Sequence, residues 1–220
     1  YVAGLAGGSG DPSPVTAYGT YVGIKAGAKE KYGDDSLKGM TIAVQGLGHV
    51  GQYLCQYLAE EGAKLTVTDI DQARVKDIVK KYGAEAVAPD AIYGVNAKVF
   101  APCALGAVVN DETLKQFKFE IIAGAANNQL AEERHGVELQ KRNIVYAPDY
   151  VINAGGLINV YGELNGWDAD RAKRKAGEIY DTLGELFAIA KEQNIPTYEA
   201  ADKFAERRIE QIAELKRSYL

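Results

Sequence analysis

Residues 41–69 read TIAVQGLGHVGQYLCQYLAEEGAKLTVTD. The run TIAV is short, continuous and apolar, which suits a strand over Met40–Gln45 covered on both faces. Three glycines follow, and each has a separate use. Gly46 allows a tight turn, Gly48 lets a pyrophosphate approach the backbone, and Gly51 lets the next helix pack against the strand. The helix, Val50–Glu61, presents free N–H groups at its start, where negative charge is stabilised. His49 and Val50 share that helix start, which places them beside the phosphates and leaves His49 no catalytic task. A second strand, Lys64–Thr68, ends in Asp69, 18 residues beyond Gly51. That is close to the spacing of about 20 expected for the acid that binds ribose hydroxyls. A carboxylate there repels a 2′-phosphate, and the following Ile70 and Asp71 bring no compensating cation. Arg74, one helical turn on, is placed near the adenine. The cofactor expected is therefore NAD rather than NADP.

Outward from this unit the alternation continues. Helix Asp71–Tyr82 precedes short strands at Ala86–Val87 and Lys98–Ala101. Helix Asp111–Phe117 precedes strand Glu120–Ala123, and helix Arg134–Lys141 precedes strand Ile144–Tyr146. Strands alternating with helices predict an α/β fold, a Rossmann-type doubly wound parallel sheet. Upstream, residues 1–12 read as a glycine-rich loop, and Ser13-Pro14 as a helix start with Ser13 the cap. That helix would reach Tyr32 and stop at Gly33; its glycines are tolerable only if something packs close to its backbone. After Pro148 the strands stop. Asn159–Leu164 reads as helix, as does a long Asp168–Gln193 segment with a core-facing side through Ile179, Leu183, Leu186 and Phe187. A last helix from Thr197 carries Ala201, Phe204, Ile209, Ile212 and Leu215 along one side. The expected organisation is a cofactor domain over 1–196, with 149–196 as a helical connector, and a C-terminal helix over 197–220.

Bulk properties narrow the class. The 220 residues carry a net charge of −5, against a nucleic-acid partner. No apolar run approaches the roughly 20 residues that span a bilayer, and no signal peptide is visible, so a cytoplasmic enzyme is expected. Cys55 and Cys103 lack metal-ligand spacing and read as free, buried thiols; no metal is expected. The first residue is Tyr1 rather than Met, which points to a start inside a longer polypeptide or to processing. His135, at a helix start, reads as a surface residue, and neither histidine has a nucleophile to serve. Two further loops follow strand ends, Ala101–Gly106 and Gly124–Gln129, where ligands of open parallel sheets lie.

These residues resemble a known family. The motifs GDPSPVTAYG, VQGLGHVG, VTDID, FAPCALGA, IAGAANNQL and YAPDYVINAGGLINV are similar to the nucleotide-binding part of the dehydrogenases of glutamate, leucine, phenylalanine and valine, nearest the leucine branch. The resemblance covers essentially the whole chain. It implies reversible oxidative deamination of an L-amino acid, branched-chain such as leucine, to the 2-oxo acid and ammonia with NAD. It assigns Gly46, Gly48 and Gly51 to the pyrophosphate turn and Asp69 to the ribose. Thr16 is placed near the nicotinamide carboxamide, and Ala104 and Leu105 over the cofactor. Asn127 and Asn128 fall between cofactor and substrate, with Asn128 the side-chain ligand. Leu157 and Val160 line the substrate pocket. Ala3 falls where leucine dehydrogenases often carry threonine, and Gly51 where many carry alanine, which the fingerprint tolerates. The phenylalanine and tryptophan branches share most of these features.

The family's catalytic lysine lies in a GGGK-type motif of an N-terminal domain, and no GGGK occurs in this sequence. No lysine here has a setting that would lower its pKa for base catalysis. The resemblance therefore implies a chain that holds NAD and one wall of the pocket, without turnover by itself. In the family the last helix packs on that N-terminal domain, so here it is expected to be mobile, to re-dock on the sheet domain or to pair with another copy; a homo-oligomer is possible on the same grounds. A non-catalytic nucleotide-sensing module would share the glycine turn and Asp69. It would not need the IAGAANNQL loop or the NAGGLINV segment, so Asn127, Asn128, Leu157 and Val160 weigh against it.

Overall fold

The computed structural model describes residues 11–218, with side-chain surroundings described through residue 214. Ala3 and Leu215 therefore lie outside what is described. Six strands form one sheet: β1 (Thr41–Gln45), β2 (Lys64–Thr68), β3 (Glu85–Ala86), β4 (Val99–Pro102), β5 (Ile121–Ile122) and β6 (Val145–Tyr146). Every pairing is parallel and the order is β3-β2-β1-β4-β5-β6. The register sets Ile42 opposite Leu65 on one side and Val99 on the other. Successive side chains of a strand face opposite ways. Ile42 and Val44 accordingly join one core cluster, while Ala43 joins a second with Phe100, Ile122 and Tyr146. Both faces of β1 are buried, so its apolar run is continuous rather than alternating.

The helices are α1 (Ser13–Tyr32), α2 (His49–Glu60), α3 (Gln72–Tyr82), α4 (Asp111–Leu114), α5 (Glu133–Lys141), α6 (Asp149–Ile152), α7 (Gly155–Leu164), α8 (Ala169–Gly177), α9 (Ile179–Gln193) and α10 (Thr197–Ser218). A 3₁₀ turn spans Pro89–Gly94. The start of α1 differs from expectation. Ser13 is already helical, Pro12 is the cap residue, and the Asp11 carboxylate takes the Ser13 N–H at 2.9 Å. The aspartate one residue before the Pro-Ser-Pro string does the work assigned to the serine hydroxyl.

Close packing explains the glycines of α1. A Cβ at Gly19 would lie 2.7 Å from Ile179 Cδ1, one at Gly27 would lie 3.0 Å from Ile121 Cγ2, and one at Gly23 would collide with the Ile152 side chain. The helix is buried on several sides, which an all-round apolar sequence permits. The expected Asp168–Gln193 helix is two helices, joined at Glu178. Ala172 and Ala176 of α8 pack with Val15, whereas Ile179, Leu183, Leu186 and Phe187 of α9 enter the main core.

Glu61, just past α2, ties α1 to the end of α2 and to the loop before β1. It accepts from Tyr21 Oη at 2.5 Å, Lys25 Nζ at 2.7 Å and the Leu37 N–H at 3.1 Å. Burial works against its ionisation, but the bonds from Lys25, Tyr21 and Leu37 prevail and lower its pKa. A carboxyl with a depressed folded pKa stabilises above its unfolded value, near 4.5. It loses that contribution as pH falls through the folded value. Glu61→Gln is expected to cost about 1–3 kcal/mol at pH 7. In urea unfolding the deficit should shrink at pH 3.5; a pH-independent deficit would assign the effect to packing.

The first turns of α10 are docked. Ala200 and Ala201 are buried, and Tyr150 Oη donates to the Tyr198 carbonyl and lies 3.0 Å from Asp202 Oδ1. Beyond Phe204 the apolar side is uncovered, with Ile209 and Ile212 exposed. Among the described residues no helix is long and apolar enough to cross a membrane, and no group of three or more His, Cys, Asp or Glu is placed to hold a metal.

Candidate functional site

The carboxyl ends of β1, β2, β4 and β5 converge where the strand order reverses, between β1 and β4. That is where open parallel sheets bind ligands. Gly46 leaves β1 with φ +96°, and its N–H donates to the Thr68 carbonyl at 2.8 Å. Gly48 precedes α2, and a Cβ there would meet only Arg74 Nη1, at 4.0 Å. The turn thus has an open side at a helix N-terminus, the shape a phosphate needs. At Gly51 a Cβ would run into the Gly46 carbonyl oxygen. Alanine, which the resemblance allows there, fits this chain only if the turn shifts.

Asp69 is fixed by backbone. Its Oδ2 accepts the Leu47 N–H at 2.5 Å and its Oδ1 the Asp71 N–H at 2.8 Å. Ile70 beside it is 90% exposed, and Leu105, beyond the end of β4, is 76% exposed. Ala104 abuts Gly46, with its nitrogen 2.9 Å from where a Cβ would stand. His49 is the first residue of α2, largely exposed, with Nδ1 3.4 Å from Asp11 Oδ2. Burial opposes ionisation of Asp11, but bonds from Ser13 and the nearby His49 lower its pKa.

The loops after β4 and β5 are laced together. Ala107 N–H donates to the Asn128 carbonyl at 2.6 Å and Val109 N–H to the Gln129 carbonyl at 2.9 Å. Gln129 is fully buried and its Nε2 donates to the carbonyls of Gly124 and Ala126. Asn128 has φ +52°, and its N–H donates to Asp149 Oδ2 at 2.6 Å. The other oxygen, Oδ1, accepts from Tyr146 Oη at 2.9 Å. Burial, with Asp149 alongside, raises the Tyr146 pKa. Asn127 Oδ1 accepts from Asn153 Nδ2 at 2.5 Å.

A cleft of about 990 Å³ opens beside these loops, lined in part by Thr16, Val50, Asn127, Asn128, Asn153 and Leu157. Five of the residues expected at the cofactor or substrate are thereby brought together. Val160, half-buried one turn beyond Leu157 on α7, is not among the lining residues. A smaller cavity of about 520 Å³ beside β6 shares only Tyr146 with the cleft.

Asp149, Asn153, Gly155 and Gly156 escaped sequence reasoning. A Cβ on Gly155 would stand 2.5 Å from the Val15 carbonyl oxygen and one on Gly156 3.1 Å from Thr16 Oγ1. These two glycines let the start of α1 lie against α7, which brings Thr16 to the cleft. The NAGG string held the signal, since paired glycines opening a helix need a close neighbour. His135 is not a surface residue: it is 2% exposed, its Nδ1 accepts the Glu132 N–H at 3.0 Å, and Nε2 lies 3.3 Å from Asp111 Oδ1. It closes the first turn of α5 from inside. Cys55 and Cys103 are both free, Cys55 buried and Cys103 half-buried; burial raises both thiols, Cys103 to about 11.

Comparison with known proteins bears on this geometry. Residues 7–73 and 66–216 match the Glutamate/Leucine/Phenylalanine/Valine dehydrogenase family model. Leucine dehydrogenase from Thermoactinomyces intermedius is 55% identical over 223 residues, taking in 100% of this chain and 61% of that protein. The Geobacillus stearothermophilus leucine dehydrogenase gives the same figures. The crystal structure of L-tryptophan dehydrogenase from Nostoc punctiforme superposes with a TM-score of 0.90 at 47% identity, over 92% of this chain and 62% of that one. The chain thus spans about three fifths of the length of the relatives it matches. With a matching model over nearly its whole length, and with the glycine turn and acid in place on the expected sheet, the chain belongs to the Glutamate/Leucine/Phenylalanine/Valine dehydrogenase family.

Proposed function

We propose that this chain is the NAD-binding part of an L-amino-acid dehydrogenase that reversibly deaminates a branched-chain amino acid such as leucine. The observation that carries the reading is the pairing of two half-sites along one edge of the sheet. On one side stand the open Gly48 turn and the backbone-fixed Asp69. On the other lies the cleft lined by Thr16, Asn128 and Leu157. When bound, NAD supplies the hydride acceptor.

The residues present bind and orient. Asp69 faces the adenosine ribose, while exposed Ile70 and Leu105 offer apolar surface to the adenine. The Asn127–Asn128 loop, held by Asp149 and Asn153, sets the edge between nicotinamide and substrate. Leu157 and Val160 disfavour a charged substrate side chain, with Ala3 assigned to the same pocket by resemblance. Two such positions discriminate by only about 1–3 kcal/mol per methylene, so phenylalanine or tryptophan is the alternative substrate class. No residue of this chain is proposed as the catalytic base. Residues 1–196 form the cofactor domain in this reading. The uncovered side of α10 is what a catalytic domain, or another copy in a homo-oligomer, would cover. A cytoplasmic setting belongs to the same proposal.

Calorimetric titration with NADH, alongside an assay of NADH formation from L-leucine and NAD, tests this. Saturable NADH binding without turnover is expected. Robust turnover would require a base among the residues present. Equal affinity for adenine nucleotides lacking the nicotinamide would favour the sensing module.

A further inference from the structure

Arg74 spans two features of the site. At one end its Nε lies 3.2 Å from Asp71 Oδ2. At the other, Nη1 stands 4.0 Å from where a Cβ on Gly48 would be, alone within that distance among the described residues beyond the glycine's own chain neighbours. The guanidinium therefore lies beside Gly48, on the open side of the glycine turn. Asp71 has two jobs. It caps α3 by accepting the N–H groups of Ala73 and Arg74, and it pairs with the Arg74 side chain.

We propose that Asp71 decides which nicotinamide dinucleotide the site accepts, by holding Arg74 in an ion pair and so withholding a cation from a ribose 2′-phosphate. This rests on the reading that the glycine turn and Asp69 bind a dinucleotide. Asp69 and Asp71 together outweigh the charge of Arg74, so the loop presents net negative charge to the ribose. A 2′-phosphate meets repulsion from both carboxylates. The cation that the described residues place beside the turn, Arg74, is already engaged with an aspartate. A guanidinium is well matched to phosphate through paired N–H donors, so release of Arg74 would change the sign of the selection. Both partners are about half exposed, 45% for Arg74 and 46% for Asp71, so salt screens the pair and the selection it exerts weakens as ionic strength rises.

The two tasks of Asp71 separate by substitution. Asn caps a helix as well as Asp does but carries no charge. Asp71→Asn should therefore keep α3 intact while freeing the guanidinium; Asp71→Ser is a second cap-competent variant should the first fold poorly. Titrating the 220-residue chain with NADH and NADPH at low and moderate salt reads the effect. Asp71→Asn is expected to raise the NADPH-to-NADH affinity ratio about five- to tenfold, less at higher salt. The gain should vanish in Asp71→Asn/Arg74→Ala. An unchanged ratio with NADH still bound overturns the proposal and leaves the dinucleotide reading standing. A gain retained in the double variant also overturns it, because charge removal alone would then suffice. Failure of the unaltered chain to bind NADH at all overturns both.

Discussion

Gly46→Val is expected to cost about 2–6 kcal/mol of folding stability and to abolish NADH binding. Two separate effects add. The residue sits at φ +96°, a conformation that strains a β-branched side chain by about 1–3 kcal/mol. Its Cβ would also stand 2.7 Å from Ala104 Cβ and 2.9 Å from Ala104 N and Cys103 C, so the loop after β4 must retreat. Overpacking of that kind costs a further 1–3 kcal/mol or so, and the atoms displaced are mostly backbone. The turn and the β4 loop flank the nucleotide site proposed above, so in that reading moving either apart removes the surface the cofactor needs. Gly46→Ala should show the same losses at smaller size. Urea unfolding and NADH titration measure both; a valine variant as stable as its parent and still binding NADH would remove this turn from the site.

Asp149→Ala should lower stability by about 1–3 kcal/mol and loosen the Asn127–Asn128 loop, with less effect on the glycine turn after β1. The carboxylate answers two donors at once, the Asn128 N–H and the hydroxyl of Tyr146, a residue only 3% exposed. Alanine leaves both without their acceptor; water can reach the exposed Asn128, but the buried Tyr146 hydroxyl left unpaired costs about 1–3 kcal/mol. Asp149→Asn retains one acceptor oxygen and should recover part of the loss. Hydrogen exchange over residues 124–130 should accelerate in Asp149→Ala while residues 41–51 stay protected. Uniform acceleration would mean global destabilisation instead of a local hinge on Asp149.

The parts of the fold that were legible in the sequence are those fixed by near neighbours. β1, the glycine turn, α2, β2 and Asp69 are contiguous, and their apolar runs, glycine spacing and terminal acid each answer a local requirement. The two-residue strands β3, β5 and β6 were placed to within a residue or two. Their pairing depends on tertiary position, and such short runs carry little periodicity. The helix break at Glu178 was hidden because each half keeps a helical apolar spacing of its own. The α1 glycines were recognised as needing a neighbour, yet nothing local names Ile152, Ile121 or Ile179. The site divides in the same way. Gly46, Gly48, Gly51 and Asp69 were read from spacing. Asp149 and Asn153 act through bonds to residues 21 and 26 positions away in sequence, which no local pattern exposes. His135 was misplaced because a histidine at a helix start looks the same whether its ring turns outward or inward.

The glycine-lined face of α1 also bears on how the chain assembles. Gly23 packs against Ile152 and Leu183, and Gly19 against Ile179, all from the C-terminal third of the chain. During synthesis this helix emerges before every strand of the sheet, yet much of its packing surface waits for residues more than a hundred positions later. Loop-closure entropy grows only with the logarithm of separation, so the arrangement costs little in final stability. Its cost falls on rate, as distant contacts form slowly. The β1–α2–β2 unit, complete within residues 41–68, has its partners close at hand in sequence. The helix that precedes it has one side on α2, close in sequence, and Glu61 bonds Tyr21 and Lys25 there; only the face lined by Gly19 and Gly23 has its partners in α6 and α9.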